Sequence, residues 1–137
     1  MVDDASPHAA RLQRGDPVPH FRLAAVGGRT VDYSTIWQRR NLVLVALTES
    51  DSASASAYVS ELEAGFSAFH SHETECVVTT GVVCGVTSPA VVIADRWGEI
   101  VHVATGSDVA DLPRLSEILE WVGYLQMRCP ECEGETR

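Results

Sequence analysis

The chain has 137 residues with a formal net charge of −9 at pH 7, and 45% of its residues are hydrophobic and 21% charged. This length and composition indicate one globular domain rather than a disordered chain. The acidic charge argues against binding to nucleic-acid phosphates or to anionic membrane surfaces, because like charges repel. There is no run of about 18 apolar residues that could span a membrane, and residues 1–14 lack the apolar core of a signal peptide, so we expect a cytoplasmic protein.

The pattern of apolar residues predicts one α/β domain between two polar tails. Residues 1–14 are polar without periodicity and predict a flexible tail, residues 15–127 form the domain, and residues 128–137 are a C-terminal tail. The predicted elements, in chain order, are a strand over 21–25, a strand over 30–31, a helical turn over 33–39, a buried strand over 41–47, a helix over about 54–70, strands over 76–83, 90–95 and 100–105, and a helix over 111–127. This order predicts a sandwich with a mixed sheet.

Three segments together resemble the peroxiredoxin-like branch (AhpC/TSA, or redoxin) of the thioredoxin-fold superfamily. They are GDPVPHFRL, GRTVDYSTIWQRRNLVLVAL and TSPAVVIADRWGEIVHVATG, and with the last helix they span roughly residues 14–127. The resemblance implies a thioredoxin-like sandwich, a mixed central sheet with flanking helices, and an antioxidant thiol oxidoreductase activity. It also implies that Ser88–Pro89 is the family's cis peptide bond, beside its binding groove.

The turn after the strand over 41–47 lacks the cysteine that this family uses. Related redoxins carry a C-x-x-C, or a single peroxidatic cysteine, at the start of the next helix, and those positions fall at about Ala53 and Ser56. A thiolate there is made nucleophilic by the helix dipole, whereas a serine hydroxyl is not ionised and has no histidine nearby in sequence as a base. We therefore expect Ser54 and Ser56 to cap the helix and the catalytic position to be degenerate.

The family also has a crossover helix that this chain lacks. Five residues separate the strand predicted over 76–83 from Pro89, and parallel strands need a dozen or more residues to cross over. Either that strand is shorter than predicted, or one face of the sheet is uncovered and offers apolar surface to a partner, unless the flanking helices lean over it.

In the reducing cytoplasm the four cysteines are expected to be free, catalytic or metal-binding. Cys76 and Cys84 are expected to pack in the core, although Cys84 lies close enough to Pro89 to be a displaced redox thiol.

The sharpest motif is Cys129-Pro130-Glu131-Cys132. Its spacing is that of a zinc knuckle, which supplies two of the four ligands of a structural zinc ion. The other two could come from the tail of a second chain, or from His70, His72 or His102. The same pair could instead be a redox dithiol or an incidental feature. The C-terminal end of a helix, together with nearby glutamates, raises a thiol pKa, which favours metal over redox use.

Two functions follow from these residues. The first is a protein-binding or assembly module that has lost its catalytic thiol, keeps the groove beside Pro89 for a protein partner, and dimerises or docks through zinc at its tail. The second is a thiol oxidoreductase that uses Cys129 and Cys132. We favour the first, because a fold does not carry its function without the site.

Overall fold

The computed structural model describes residues 12–127 except 82, 84, 87 and 88. Its strands and helices are β1 (Arg22–Ala24), β2 (Thr30–Asp32), β3 (Asn41–Leu47), α1 (Ala53–Ala64), α2 (Phe66–Ser71), β4 (Thr74–Thr80), β5 (Ala90–Ala94), β6 (Ile100–Thr105) and α3 (Leu115–Met127). β1 and β2 form a small antiparallel ribbon, and the other strands form a sheet in the order β4-β3-β5-β6. β3 is parallel to β4 and antiparallel to β5, which is antiparallel to β6. The predicted α/β sandwich with a mixed sheet is confirmed. None of the described helices is long and apolar enough to cross a membrane.

The two faces of the sheet carry two apolar clusters. Alternate β3 side chains, Val43 among them, pack against all three helices on one face. The side chains between them, Leu44 among them, face the other way and meet Tyr33 and Ile36 from the N-terminal segment. Every apolar side chain of β3 is at most 3% exposed, as expected for a central strand covered on both faces.

The short connection before Pro89 needs no crossover helix, because the strands that it joins are antiparallel and not parallel as assumed, and because β4 is shorter than predicted. β4 spans Thr74–Thr80, two to three residues earlier than predicted, and leaves residues 81–89 as the connection. Because β5 runs antiparallel to β3 and β4, the last residue of β4 and the first residue of β5 lie at the same end of the sheet. The chain therefore has to pass only β3. The second face of the sheet is not left open at β3, where Leu42, Leu44 and Ala46 are buried.

The helix predicted over 54–70 is interrupted at Gly65, which separates α1 from α2. A Cβ at Gly65 would overlap the side chain of Leu115, so the break lets α3 approach closely. α3 begins at Leu115 rather than at residue 111, where the sequence analysis placed its start. The Leu115 N–H donates a hydrogen bond to Glu61 Oε2 at 2.8 Å, so a side chain of α1 satisfies the start of α3.

Candidate functional site

Three connections between strands and helices meet at one end of the sheet. Because β3 and β6 run in one direction and β5 in the other, the residues after β3, before β5 and after β6 lie together. They form a cleft of about 270 Å³ beside the first turn of α1, here called the helix-start groove. Its lining residues are Thr48, Glu49, Ser52, Ser54, Ala55, Pro89, Ser107, Asp108 and Val109.

The serine-rich turn provides the cap of α1. Ser52 is the N-cap, and its Oγ accepts a hydrogen bond from the Ala55 N–H at 3.2 Å. The Ser52 carbonyl accepts from the Ser56 N–H at 2.8 Å and so begins the helical ladder. The cap is therefore Ser52 and not Ser54 or Ser56, because only Ser52 has the extended backbone that an N-cap requires.

The two positions where the sequence analysis expected the family's cysteines, Ala53 and Ser56, do not line the groove. Ala53 is the first residue of α1, and both Ala53 and Ser56 are exposed. Ser54, between them, is a lining residue. Pro89 is buried and is one of the lining residues, whereas Ser88 lies outside the described residues, so a binding role for this pair stays a prediction.

The chemistry of the groove is that of hydroxyls and carboxylates. Its described lining residues include four hydroxyl side chains and the carboxylates of Glu49 and Asp108, but no thiol, histidine or arginine. A serine nucleophile needs a base within hydrogen-bond distance, and histidine is the usual one. Two carboxylates also repel an anionic substrate and disfavour a thiolate. Among its described residues, the groove therefore lacks the parts of a nucleophilic or peroxidatic centre.

Three hydrogen bonds hold in place the loop over residues 107–109 and the segment that follows it. Asp111 Oδ2 accepts hydrogen bonds from the backbone N–H groups of Ser107 at 3.0 Å and Asp108 at 3.1 Å. Below this loop, the buried Tyr58 hydroxyl donates to the Pro113 carbonyl oxygen at 2.6 Å. Burial raises the pKa of Tyr58 well above its usual value. The Tyr58 hydroxyl therefore stays protonated and ties α1 to the segment that leads into α3.

Sequence reasoning missed Glu49, Ser107 and Asp108 as groove residues. The sequence did carry a signal for two of these residues, because Glu49 follows β3 and Asp108 follows β6. Both strands finish at the same end of the sheet. Only the strand order, which the sequence does not state, brings these two carboxylates together.

The described cysteine is a core residue. Cys76 lies in β4, is 7% exposed and packs with the helix-side cluster. Burial raises the pKa of its thiol to about 12, so almost none of it is thiolate at neutral pH. The expected packing of Cys76 is thus confirmed. Cys84, Cys129 and Cys132 lie outside the described residues.

The three histidines considered as zinc ligands lie on different elements. His70 is exposed on α2, and His72 follows α2 with its Nδ1 at 2.8 Å from the Ala68 carbonyl oxygen. His102 lies on β6, which is the opposite edge of the sheet from β4, and stacks on Trp121. Within the described part of the chain, no three histidine, cysteine, aspartate or glutamate side chains form a group that could hold a metal ion.

Comparisons with known proteins show what the fold is similar to. No family model and no curated protein matches the sequence. The reduced 2-Cys peroxiredoxin of Plasmodium vivax superposes with a TM-score of 0.68 at 14% identity, over 85% of this chain and 83% of that one. AhpC of Mycobacterium tuberculosis gives 0.65 at 11% identity, over 88% and 97%. A thiol peroxidase from Chromobacterium violaceum gives 0.57 at 14% identity, over 82% and 87%. At such identities the likeness shows a shared fold alone.

Proposed function

We propose that this chain, which has the thioredoxin-like fold of the peroxiredoxins, is a protein-binding or assembly module and not a peroxidase. The observation that carries the proposal is the composition of the helix-start groove. This groove lies beside Pro89 at one end of the sheet, and its described lining offers hydroxyl and carboxylate groups but no reactive thiol.

The groove suits a segment of a protein partner better than a small oxidant. Its hydroxyl groups, from Thr48, Ser52, Ser54 and Ser107, can each donate and accept a hydrogen bond and so match the alternating groups of an extended backbone. Hydroperoxide reduction, by contrast, requires a thiolate to attack the peroxide oxygen, and nothing in the described lining supplies one. Ser88 and Pro89 would form the side of the groove against which the segment lies.

The C-terminal tail is proposed to link two such modules through zinc. Cys129 and Cys132 provide two thiolates at the spacing of a zinc knuckle, and a structural zinc ion requires four ligands. Two tails related by a two-fold axis would complete a four-cysteine site, with half a zinc ion per chain. A zinc ion deprotonates its own ligands, which removes the difficulty that Glu131 and Glu133 raise the pKa of a free thiol.

A thiol-dependent oxidoreductase is the second candidate. It is favoured by the likeness to a thiol peroxidase and to peroxiredoxins, together with the C-x-x-C pair. In this case Cys129 and Cys132 would cycle between dithiol and disulfide, with two electrons passing to a peroxide and with an external thiol restoring the dithiol.

The two candidates are separated by zinc content, mass and peroxide consumption, measured on protein purified anaerobically without added metal. The module predicts about half an equivalent of zinc, twice the 14.8 kDa chain mass in light scattering, and no consumption of hydrogen peroxide with a dithiol reductant. Cys129→Ser should lose both zinc and the dimer. Cys76→Ala is the matched control, because Cys76 is buried in the core and should leave the zinc content unchanged.

Peroxide turnover that disappears in Cys129→Ser and Cys132→Ser would refute the module and establish the oxidoreductase. A monomer without zinc and without turnover would refute the tail's role in both candidates. The helix-start groove would then remain as a proposed binding surface, to be tested by whether Ser54→Trp abolishes association with a partner.

A further inference from the structure

The outer edge of β6 is covered over only part of its length. Residues 15–18 pair with its start, where the Gly15 N–H donates to the Ile100 carbonyl at 2.7 Å and the Ile100 N–H donates to the Asp16 carbonyl at 2.9 Å. A tight turn at residues 13–16 then takes the chain away from the strand. Residues 102–104 are half-buried and Thr105 is exposed, whereas every residue of β5 is buried. Within the described residues, no other backbone segment covers this part of the edge.

An open groove runs beside the uncovered edge on the helix side of the sheet. This aromatic groove has a volume of about 740 Å³ and is lined by Arg14, Ser116, Glu117, Glu120, Trp121 and Tyr124. Its aromatic rings reach the strand, because Trp121 stacks on His102 of β6 with 4.6 Å between ring centroids. Tyr124 meets Trp121 edge to face at 6.1 Å and is 48% exposed. A strand edge and an aromatic surface thus lie side by side, both accessible to a partner.

The negative charge around these aromatic rings favours a partner with cationic side chains. Glu117 and Glu120 are both exposed, and Arg14 is the one cationic side chain among the described lining residues, on a chain of net charge −9. Aromatic faces attract guanidinium and ammonium groups, and neighbouring carboxylates strengthen that attraction. A second copy of this chain would bring two more carboxylates to the same edge, which disfavours self-pairing.

We propose that the uncovered edge of β6 and the aromatic groove together bind an extended, arginine- or lysine-bearing segment of another protein. The segment adds to β6 as a strand over residues 102–105 and lays cationic side chains over Trp121, between Glu117 and Glu120. Main-chain hydrogen bonds supply affinity in this binding mode, and alternate side chains supply selectivity. The surface is separate from the helix-start groove, so the inference stands whether or not that groove binds a partner.

The test uses a blocked seven-residue peptide in which threonine and arginine alternate, titrated into the ¹⁵N-labelled full chain. Amide shifts are expected at residues 102–105, together with a shift of the Trp121 indole N–H. Two control peptides separate the contributions. Citrulline in place of arginine removes the charge and should weaken binding about fivefold or more. N-methylation of alternate backbone amides blocks strand addition and should abolish binding.

A pair of variants checks the carboxylates. Glu117→Gln with Glu120→Gln should weaken binding of the arginine peptide about fivefold. Asp51→Asn with Glu63→Gln removes the same charge from exposed positions outside both grooves and should leave the affinity unchanged. Equal binding of the citrulline peptide, shifts confined to the helix-start groove, or no shifts at millimolar peptide would each overturn the proposal. Shifts at residues 102–105 that grow with protein concentration alone would show that a second copy occupies the edge instead.

Discussion

Replacing Tyr58 with phenylalanine removes one oxygen atom from the core and is expected to loosen the wall of the helix-start groove. The Tyr58 hydroxyl donates to the Pro113 carbonyl at 2.6 Å, and its side chain is 1% exposed. The ring itself remains in Tyr58→Phe, with its apolar contacts and with the Arg114 guanidinium 4.8 Å from its centroid. The perturbation is therefore confined to one hydrogen bond.

The size of the effect follows from what the hydroxyl leaves behind. A buried hydrogen bond contributes about 1 kcal/mol net, and an acceptor left buried without its donor costs about 1–3 kcal/mol. Pro113 is buried, so its carbonyl cannot simply turn to water. We expect the free energy of unfolding to fall by about 2 kcal/mol, which lowers the urea midpoint by about 1 M for an m-value of about 2 kcal/mol/M.

The assay is urea unfolding at pH 7, with Ser60→Ala as the matched control. Ser60 is an exposed residue of the same helix, so loss of its hydroxyl should change the free energy of unfolding by less than about 0.5 kcal/mol. Tyr58→Phe should also reduce the loss of unfolding free energy that the wild type shows at alkaline pH. Since burial raises the pKa of Tyr58 above 10.0, its contribution is complete below pH 10 and falls as the pH rises beyond that value. A Tyr58→Phe midpoint equal to that of the wild type would refute the role assigned to this hydrogen bond.

Three further predictions rest on other residues. Cys76, whose pKa burial raises to about 12, should react with iodoacetamide only after unfolding, as read by peptide mass spectrometry; equal labelling of folded and unfolded protein would contradict its burial. Desolvation lowers the pKa of His102 below 6.5, so stability that is complete above pH 6.5 should decline as the pH falls through the folded pKa; an NMR titration of the ring with a midpoint at or above 6.5 would exclude this. Gly106→Ala places a Cβ against Asp111 Cβ and should lower the free energy of unfolding by about 1–2 kcal/mol in urea, whereas Gly123→Ala, with open space around it, should raise it by up to about 1 kcal/mol.

Local patterns predicted the elements whose environment is uniform. The apolar run over 41–47 could only be a strand covered on both faces, and it is β3 with the predicted bounds. The hairpin around Trp97 likewise follows from a turn between two β-rich runs. The close approach of Leu115 to the break at Gly65 was not predictable, because the two residues are fifty positions apart in the chain. Nor was the start of α3, since the partner of its first free N–H is Glu61 of another helix.

The candidate site was only partly accessible to sequence reasoning. The resemblance implied a groove beside Pro89, and Pro89 does line a cleft in the structure, but its use as a binding surface stays a prediction. The carboxylates of Glu49 and Asp108 come from the ends of two strands that are not neighbours in the sheet, so their meeting depends on strand order. The role of Cys129 and Cys132 stays a prediction, because both lie outside the described residues.

The N-terminal segment reaches both edges of the sheet as well as its second face, and this constrains how the chain can be made. Near the edge strand β4, the Val26 N–H donates to the Val78 carbonyl at 2.7 Å. On the opposite edge, residues 15–18 pair with residues 98–100, and Ile36 packs on the second face. Residues 15–18 precede their partner residues at the start of β6 by more than eighty positions in the sequence. Residues 15–18 therefore have no partner on the sheet until residues 98–100 have been made, and pairings between residues so distant in sequence form slowly.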